Sequence, residues 1–90
     1  MKTEFKKSFA KDLKKRSQDK ALLQQIPQII HDVEAAETLS DIKNLKKLKA
    51  GNNNAFRIRI GNYRLGLVIE NDTVCFVRLL ARKDIYRYFP

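Results

Sequence analysis

Phe5, Phe9 and Leu13 recur every four residues, the spacing of one face of an amphipathic helix. Lys7, Lys11, Lys14 and Lys15 fall toward its other faces, and the first residues can equally run extended, with the helix beginning near Ser8. Ser17 to Asp19 breaks the pattern and can cap a second helix. The stripe of that helix is Leu22, Leu23, Ile26, Ile29, Ile30 and Val33. Pro27 lies inside it, lacks a backbone donor, and is expected to kink or split it. Two amphipathic helices with a short joint predict a helical hairpin.

After Thr38 the period shortens. Leu39, Ile42, Leu45 and Leu48 recur every three residues, which fits a helical turn or an irregular packed segment, with Lys43, Lys46, Lys47 and Lys49 between them. Ala50-Gly51-Asn52-Asn53-Asn54 has loop composition and is a candidate mobile element beside a site. Then the period becomes two. Strands are predicted over Ala55 to Ile60, Tyr63 to Glu70 and Thr73 to Ala81, joined by turns at Gly61-Asn62 and Asn71-Asp72. The last strand is apolar on both faces except at Arg78, as expected of a central strand. Helices followed by strands predict an α+β fold, here one domain over residues 1–90.

The hairpin Phe56-Arg57-Ile58-Arg59-Ile60-Gly61-Asn62-Tyr63-Arg64-Leu65 is oily on one face and cationic on the other. With a two-residue turn, Arg59 lies across from Arg64 and Arg57 across from Gly66. Like charges facing each other across a ladder are destabilising, so a chain that keeps them uses them on something negative. The overall charge agrees: the net value is +9. From Ile42 to Ile69 there are seven lysines or arginines and no acid, which favours a polyanionic partner over a merely solvated surface.

Several chemistries are excluded. The chain has no Gly-rich phosphate loop, nucleophile elbow or HExxH. Its one histidine, His31, falls on the polar side of the second helix and is expected to face solvent, so a two-histidine ribonuclease mechanism is out. The single Cys75, within Val74-Cys75-Phe76-Val77, can form no internal disulfide and is expected to be a buried, inert thiol. No Cys/His clustering suggests a metal, and no cofactor is implied. No apolar run is long enough to span a bilayer, and Met1 to Phe5 lacks the apolar core of a secretory signal. A cytoplasmic protein is the expectation.

What remains is Arg57, Arg59, Arg64, Arg78, Arg82, Lys83 and Arg87, with Tyr63, Tyr86 and Tyr88. Guanidinium groups grip phosphate bidentately and stabilise the charge of a pentacoordinate phosphorane. Tyrosine rings stack on unpaired bases. RNA carries its own nucleophile, the ribose 2′-OH, so an enzyme can work by orienting it and stabilising charge. Arginine stays protonated and makes a poor base; Tyr86 or Lys83 would serve only with a lowered pKa.

Phe9-Ala10-Lys11-Asp12-Leu13-Lys14-Lys15, Leu45-Lys46-Lys47-Leu48-Lys49-Ala50-Gly51, the hairpin, and Arg82-Lys83-Asp84-Ile85-Tyr86-Arg87 together resemble the RelE/ParE superfamily of type II toxin–antitoxin toxins. The resemblance covers nearly the whole chain. It implies the RelE-like microbial RNase fold, two N-terminal helices packed on a mainly antiparallel four-stranded sheet. It also implies a cognate antitoxin and, in the RelE branch, ribosome-dependent cleavage of mRNA in the A site by 2′-OH attack. By position it assigns catalytic roles to Arg57, Arg59, Arg64, Arg82 and Tyr86, and a gap could put Lys83 in place of Arg82. RNA contacts are expected from Lys46, Lys47, Lys49, Arg78, Lys83 and Arg87. Arg57 and Arg59 stand where RelE proper has lysines, and Ala81 where some relatives have histidine, so proton acceptance would shift to Tyr86, the ribosome or solvent. Two other readings share the fold: a ParE-like inhibitor of DNA gyrase, which does not need the arginine set, and a non-catalytic binding module.

Overall fold

The three predicted strands form where the alternation placed them, and the turns between them explain the sharpness of their ends. In the computed structural model, which describes residues 1–49 and 54–90, Gly61, Asn71 and Asp72 all take positive φ. These are residue types that tolerate the left-handed region. The chain runs β1 (Lys2–Phe5), α1 (Lys7–Lys15), α2 (Lys20–Ala35), a 3₁₀ turn (Leu39–Asp41), β2 (Leu45–Lys47), β3 (Ala55–Ile60), β4 (Tyr63–Glu70), β5 (Thr73–Ala81) and α3 (Ile85–Tyr88). The expected loop at Ala50 to Asn53 lies outside the described residues.

The fold is α+β, but the sheet has five strands, not four, in the order β1-β5-β4-β3-β2. The extra strand is β1, which pairs parallel with β5, so the sheet is mixed. Lys2 to Phe5 is therefore extended, and Phe5 stacks on Phe76 of β5 with ring centroids 5.2 Å apart. A short β2 takes the opposite edge, antiparallel to β3. The C-terminal tail adds a third helix, the single turn α3.

Helix α1 continues the edge of β5 after β1 stops. Ser8 Oγ donates to the Val77 carbonyl at 2.6 Å, and the Asp12 carboxylate accepts from the Leu79 N–H at 2.9 Å. Asp19 caps α2 by accepting from the Leu22 N–H at 3.1 Å. Pro27 does not split α2, which runs unbroken through 16 residues. Pro27 is exposed, so water can serve the carbonyl it leaves without a donor, while Leu22, Ile26 and Val33 on the buried stripe hold the helix to the sheet.

Two cores result. Phe9, Leu22, Ile26 and Val33 pack on Ile58, Leu65, Leu67 and Phe76 on the helix side. On the other side a smaller cluster of Leu48, Ala55, Leu80, Ile85 and Phe89 holds α3 against the sheet. Gly66 makes that docking possible: a Cβ there would lie 2.8 Å from the Phe89 ring. Among the described residues no helix is long and apolar enough to cross a membrane.

Candidate active site

The β3–β4 hairpin has the register its alternation demands, with Arg59 opposite Arg64 and Arg57 opposite Gly66. Arg64 is the unusual member. Only 9% of it is exposed, and its Nη1 donates to the Gly61 carbonyl at 2.8 Å and the Tyr63 carbonyl at 2.9 Å. These two bonds fix the guanidinium beside the turn. Burial pushes its pKa down from the usual arginine value, and the positive charges of Arg57, Arg82 and Arg59 push the same way, while Tyr86 pulls it back up. Arg64 nonetheless keeps its proton. Arg82, eighteen residues further along the chain, lines the same hollow as Arg59 and Arg64 and carries its wall on toward Tyr86.

Two adjoining hollows open here. One, of about 540 Å³, is lined by Gln25, Asn44, Arg59, Asn62, Arg64 and Arg82. The other, of about 510 Å³, is lined by Asn62, Ala81, Arg82, Lys83 and Tyr86. They share Asn62 and Arg82, and the Arg82 N–H donates to the Asn62 carbonyl at 2.8 Å, tying the end of β5 to the hairpin turn. No carboxylate lines either hollow, and the ion pair among the described residues lies elsewhere. Cations without counter-charges in a concave surface suit an anionic ligand.

The predicted residues do not all reach the hollows. Arg59, Arg64, Arg82, Lys83 and Tyr86 line the hollows. Arg57 sits just behind them: its Nη1 donates to the Asn44 carbonyl at 3.0 Å, and its buried Nε has no partner. Lys46, Lys47 and Lys49 are exposed along and after the edge strand β2, with Lys46 in register with Arg57. Arg87 is exposed and lies over the Tyr88 ring at 5.5 Å. Arg78 is turned away from the cluster. Its Nε bonds Asp12 Oδ2 at 2.8 Å and its Nη2 bonds Oδ1 at 3.3 Å, so its charge is already spent on a buried carboxylate.

His31 is exposed, as its place on α2 suggests. Cys75 is only half-buried, contrary to the expectation of a buried thiol, because β5 turns it away from the helices toward a groove it shares with Glu4, Lys6 and Val77. Burial still raises its pKa. No group of three or more His, Cys, Asp or Glu residues among the described residues could hold a metal. Gln25, Asn44 and Asn62 also line the arginine hollow, and nothing in the sequence singles them out for it. Asn62 was legible only as a turn residue and Gln25 only as a polar helix position.

No protein-family model matches the chain. It is 44% identical over 91 residues to Toxin RelE3 of Methanocaldococcus jannaschii, covering all of both chains. Its fold matches the RelB–RelE antitoxin–toxin complex from Methanococcus jannaschii with a TM-score of 0.78 and 40% identity, over 97% of this chain and 99% of that one. YoeB from Staphylococcus aureus shares the fold alone, with a TM-score of 0.71 and 18% identity over 89% of this chain and 94% of that one. Sheet, helices and relatives together define a small toxin of a type II toxin–antitoxin system. Within that class the chain belongs to the RelE family.

Proposed function

We propose that this toxin is a ribosome-dependent endoribonuclease that cuts mRNA in the A site and is silenced by a cognate antitoxin. The observation that carries the reading is the gathering of Arg59, Arg64 and Arg82 in one hollow that Arg82 and Asn62 join to the hollow of Lys83 and Tyr86. Arg64, Arg59 and Arg82 bind the scissile phosphate and stabilise the extra negative charge as the 2′-oxygen bonds to phosphorus and the P–O5′ bond breaks, giving a 2′,3′-cyclic phosphate and a 5′-oxygen that takes its proton from solvent. Arg64 is fixed in advance by its two carbonyl partners, so little reorganisation accompanies the reaction. Arg57 adds field from behind without lining the hollows. Tyr86, at the exposed end, stacks on an unpaired base beside the cut. Arginine cannot take the 2′-OH proton, so that step falls to Tyr86, the ribosome or solvent.

Concave convergence is not needed to inhibit gyrase, and it favours the nuclease reading over a ParE-like one. The antitoxin reading draws on the relative solved with RelB and on this chain's charge of +9, which an acidic partner segment would neutralise. Primer extension on ribosomes translating a defined mRNA tests the activity. Wild-type toxin should give cuts within A-site codons, and Arg64→Ala and Arg82→Ala should not. Blocked translation without such cuts would remove the nuclease assignment.

A further inference from the structure

The hollow holding Arg59, Arg64 and Arg82 also carries amides, which a phosphate site does not require. Phosphate oxygens only accept hydrogen bonds, so guanidinium groups suffice for them. An amide offers a donor and an acceptor on one planar group, which is what discriminates base edges. Asn44 is solvent-exposed at the rim of the hollow, with its main chain fixed there. Its backbone is left-handed, with φ of 62°, and its carbonyl accepts both the Arg57 Nη1 at 3.0 Å and the Arg59 N–H at 3.3 Å. The main chain is pinned, and the side-chain amide has no partner among the described residues. Gln25 faces the same hollow from α2. Its Nε2 donates to the Ala21 carbonyl at 3.2 Å, which leaves Oε1 open.

The hollow does not end at these amides. Gln25, Asn44 and Arg59 also line a narrower cleft of about 150 Å³ between α2 and β3, whose walls include Ile29, Ile42 and Ile58 and whose charged groups are Lys43 and the carboxylate of Asp32. Three recesses therefore run in series: the Tyr86 hollow, the arginine hollow joined to it at Arg82 and Asn62, and the cleft joined to that at Gln25 and Asn44. We infer that this series is a track for single-stranded RNA. In it Gln25 and Asn44 form a base-reading subsite beside the phosphate that Arg82 holds. The inference deepens the nuclease reading and rests on it. Stacking at Tyr86 tolerates any base. Sequence preference therefore concentrates on the nucleotide at the amide end.

The test measures cutting of a codon panel on translating ribosomes by wild type, Gln25→Ala and Asn44→Gly. Glycine keeps the left-handed backbone and its carbonyl while deleting the amide. Wild type should prefer particular bases at one position beside the cut. Each variant should lower that preference roughly fivefold or more, the range of one lost base contact, with little loss of rate on the poorest codons. Unchanged preference in both variants overturns the inference and leaves the nuclease reading intact. If wild type makes no cuts, that reading fails separately, and the track is judged by anisotropy with short oligonucleotides of each of the four bases. Equal affinities in wild type would then overturn it. A rank order erased by Asn44→Gly, with Arg64→Ala weakening all four alike, would uphold it.

Discussion

Asp12 on α1 and Arg78 on β5, sixty-six residues apart, form a paired contact in which Nε meets Oδ2 at 2.8 Å and Nη2 meets Oδ1 at 3.3 Å. Asp12 is 2% exposed and also accepts the Leu79 N–H, so it serves one charge and one backbone donor at once. Removing it leaves the Arg78 charge without its partner and a buried N–H without an acceptor. Breaking such a pair costs about 3–5 kcal/mol, and partial exposure of Arg78 puts Asp12→Ala toward the lower end. Chemical denaturation should report that loss. Below the unfolding transition Asp12→Ala should keep its RNA contacts, since the pair stands apart from the arginine hollows.

Arg64 should not be replaceable by lysine. Its fork covers two carbonyls with Nη1 and leaves its other nitrogens for a phosphate. A lysine keeps the charge but has one nitrogen for all three tasks. Arg64→Lys should cut A-site cleavage by about a hundredfold, the size of a lost preorganised donor, with a small change in stability. Arg64→Ala should lose at least as much activity, while stability changes little, because the lost bonds to the Gly61 and Tyr63 carbonyls are offset by relief of burial and of the repulsion from Arg57, Arg82 and Arg59. Single-turnover cleavage and thermal unfolding measured side by side separate the two effects.

An acid arm of stability should trace to Asp41. Its carboxylate accepts the Thr38 and Glu37 N–H groups, both at 3.1 Å, and these bonds, the Thr38 one foremost, hold its pKa below the usual carboxylate value. A group with a depressed folded pKa stabilises the fold above its unfolded pKa. That contribution is lost as pH falls from the ordinary value through the lowered one. Denaturation followed from neutral pH into the acid range should show wild type losing stability faster than Asp41→Asn once pH falls below the ordinary carboxylate value, the two curves drawing together only below the lowered one.

The hairpin was readable from sequence because its causes are local. Alternation from Phe56 to Leu65 and a Gly61-Asn62 turn leave one sensible register, and Arg59 faces Arg64 in it. What was not readable depends on partners far along the chain. Lys2 to Phe5 becomes a strand because β5, some seventy residues later, offers a free edge, and four residues carry no pattern of their own. The fate of Arg78 turned on Asp12 and on the irregularity beside Gly66, where Val77 is skipped in the β4–β5 pairing. Asn44 looked like one polar residue in a lysine-rich stretch; its left-handed backbone, and hence its hold on Arg57, appears only in three dimensions.

Gly66 and Phe89 provide the last prediction, since together they decide where Tyr86 stands. The ring of Phe89 occupies the space a Cβ at position 66 would need, within 2.8 Å. Phe89 and Ile85, both buried, are the anchors of the turn that carries Tyr86, whose own side chain is 64% exposed. Gly66→Ala should lift the Phe89 ring and move Tyr86 relative to Arg82, costing about 1–3 kcal/mol of stability through overpacking and lowering cleavage. Phe89→Leu in the same chain relieves the overlap and should restore part of both. If the activity loss runs through Tyr86, adding Gly66→Ala to Tyr86→Ala should cost little further cleavage, because coupled residues are not additive. Full additivity in that double-mutant cycle would mean that Gly66 only stabilises the sheet and has no part in positioning the tyrosine.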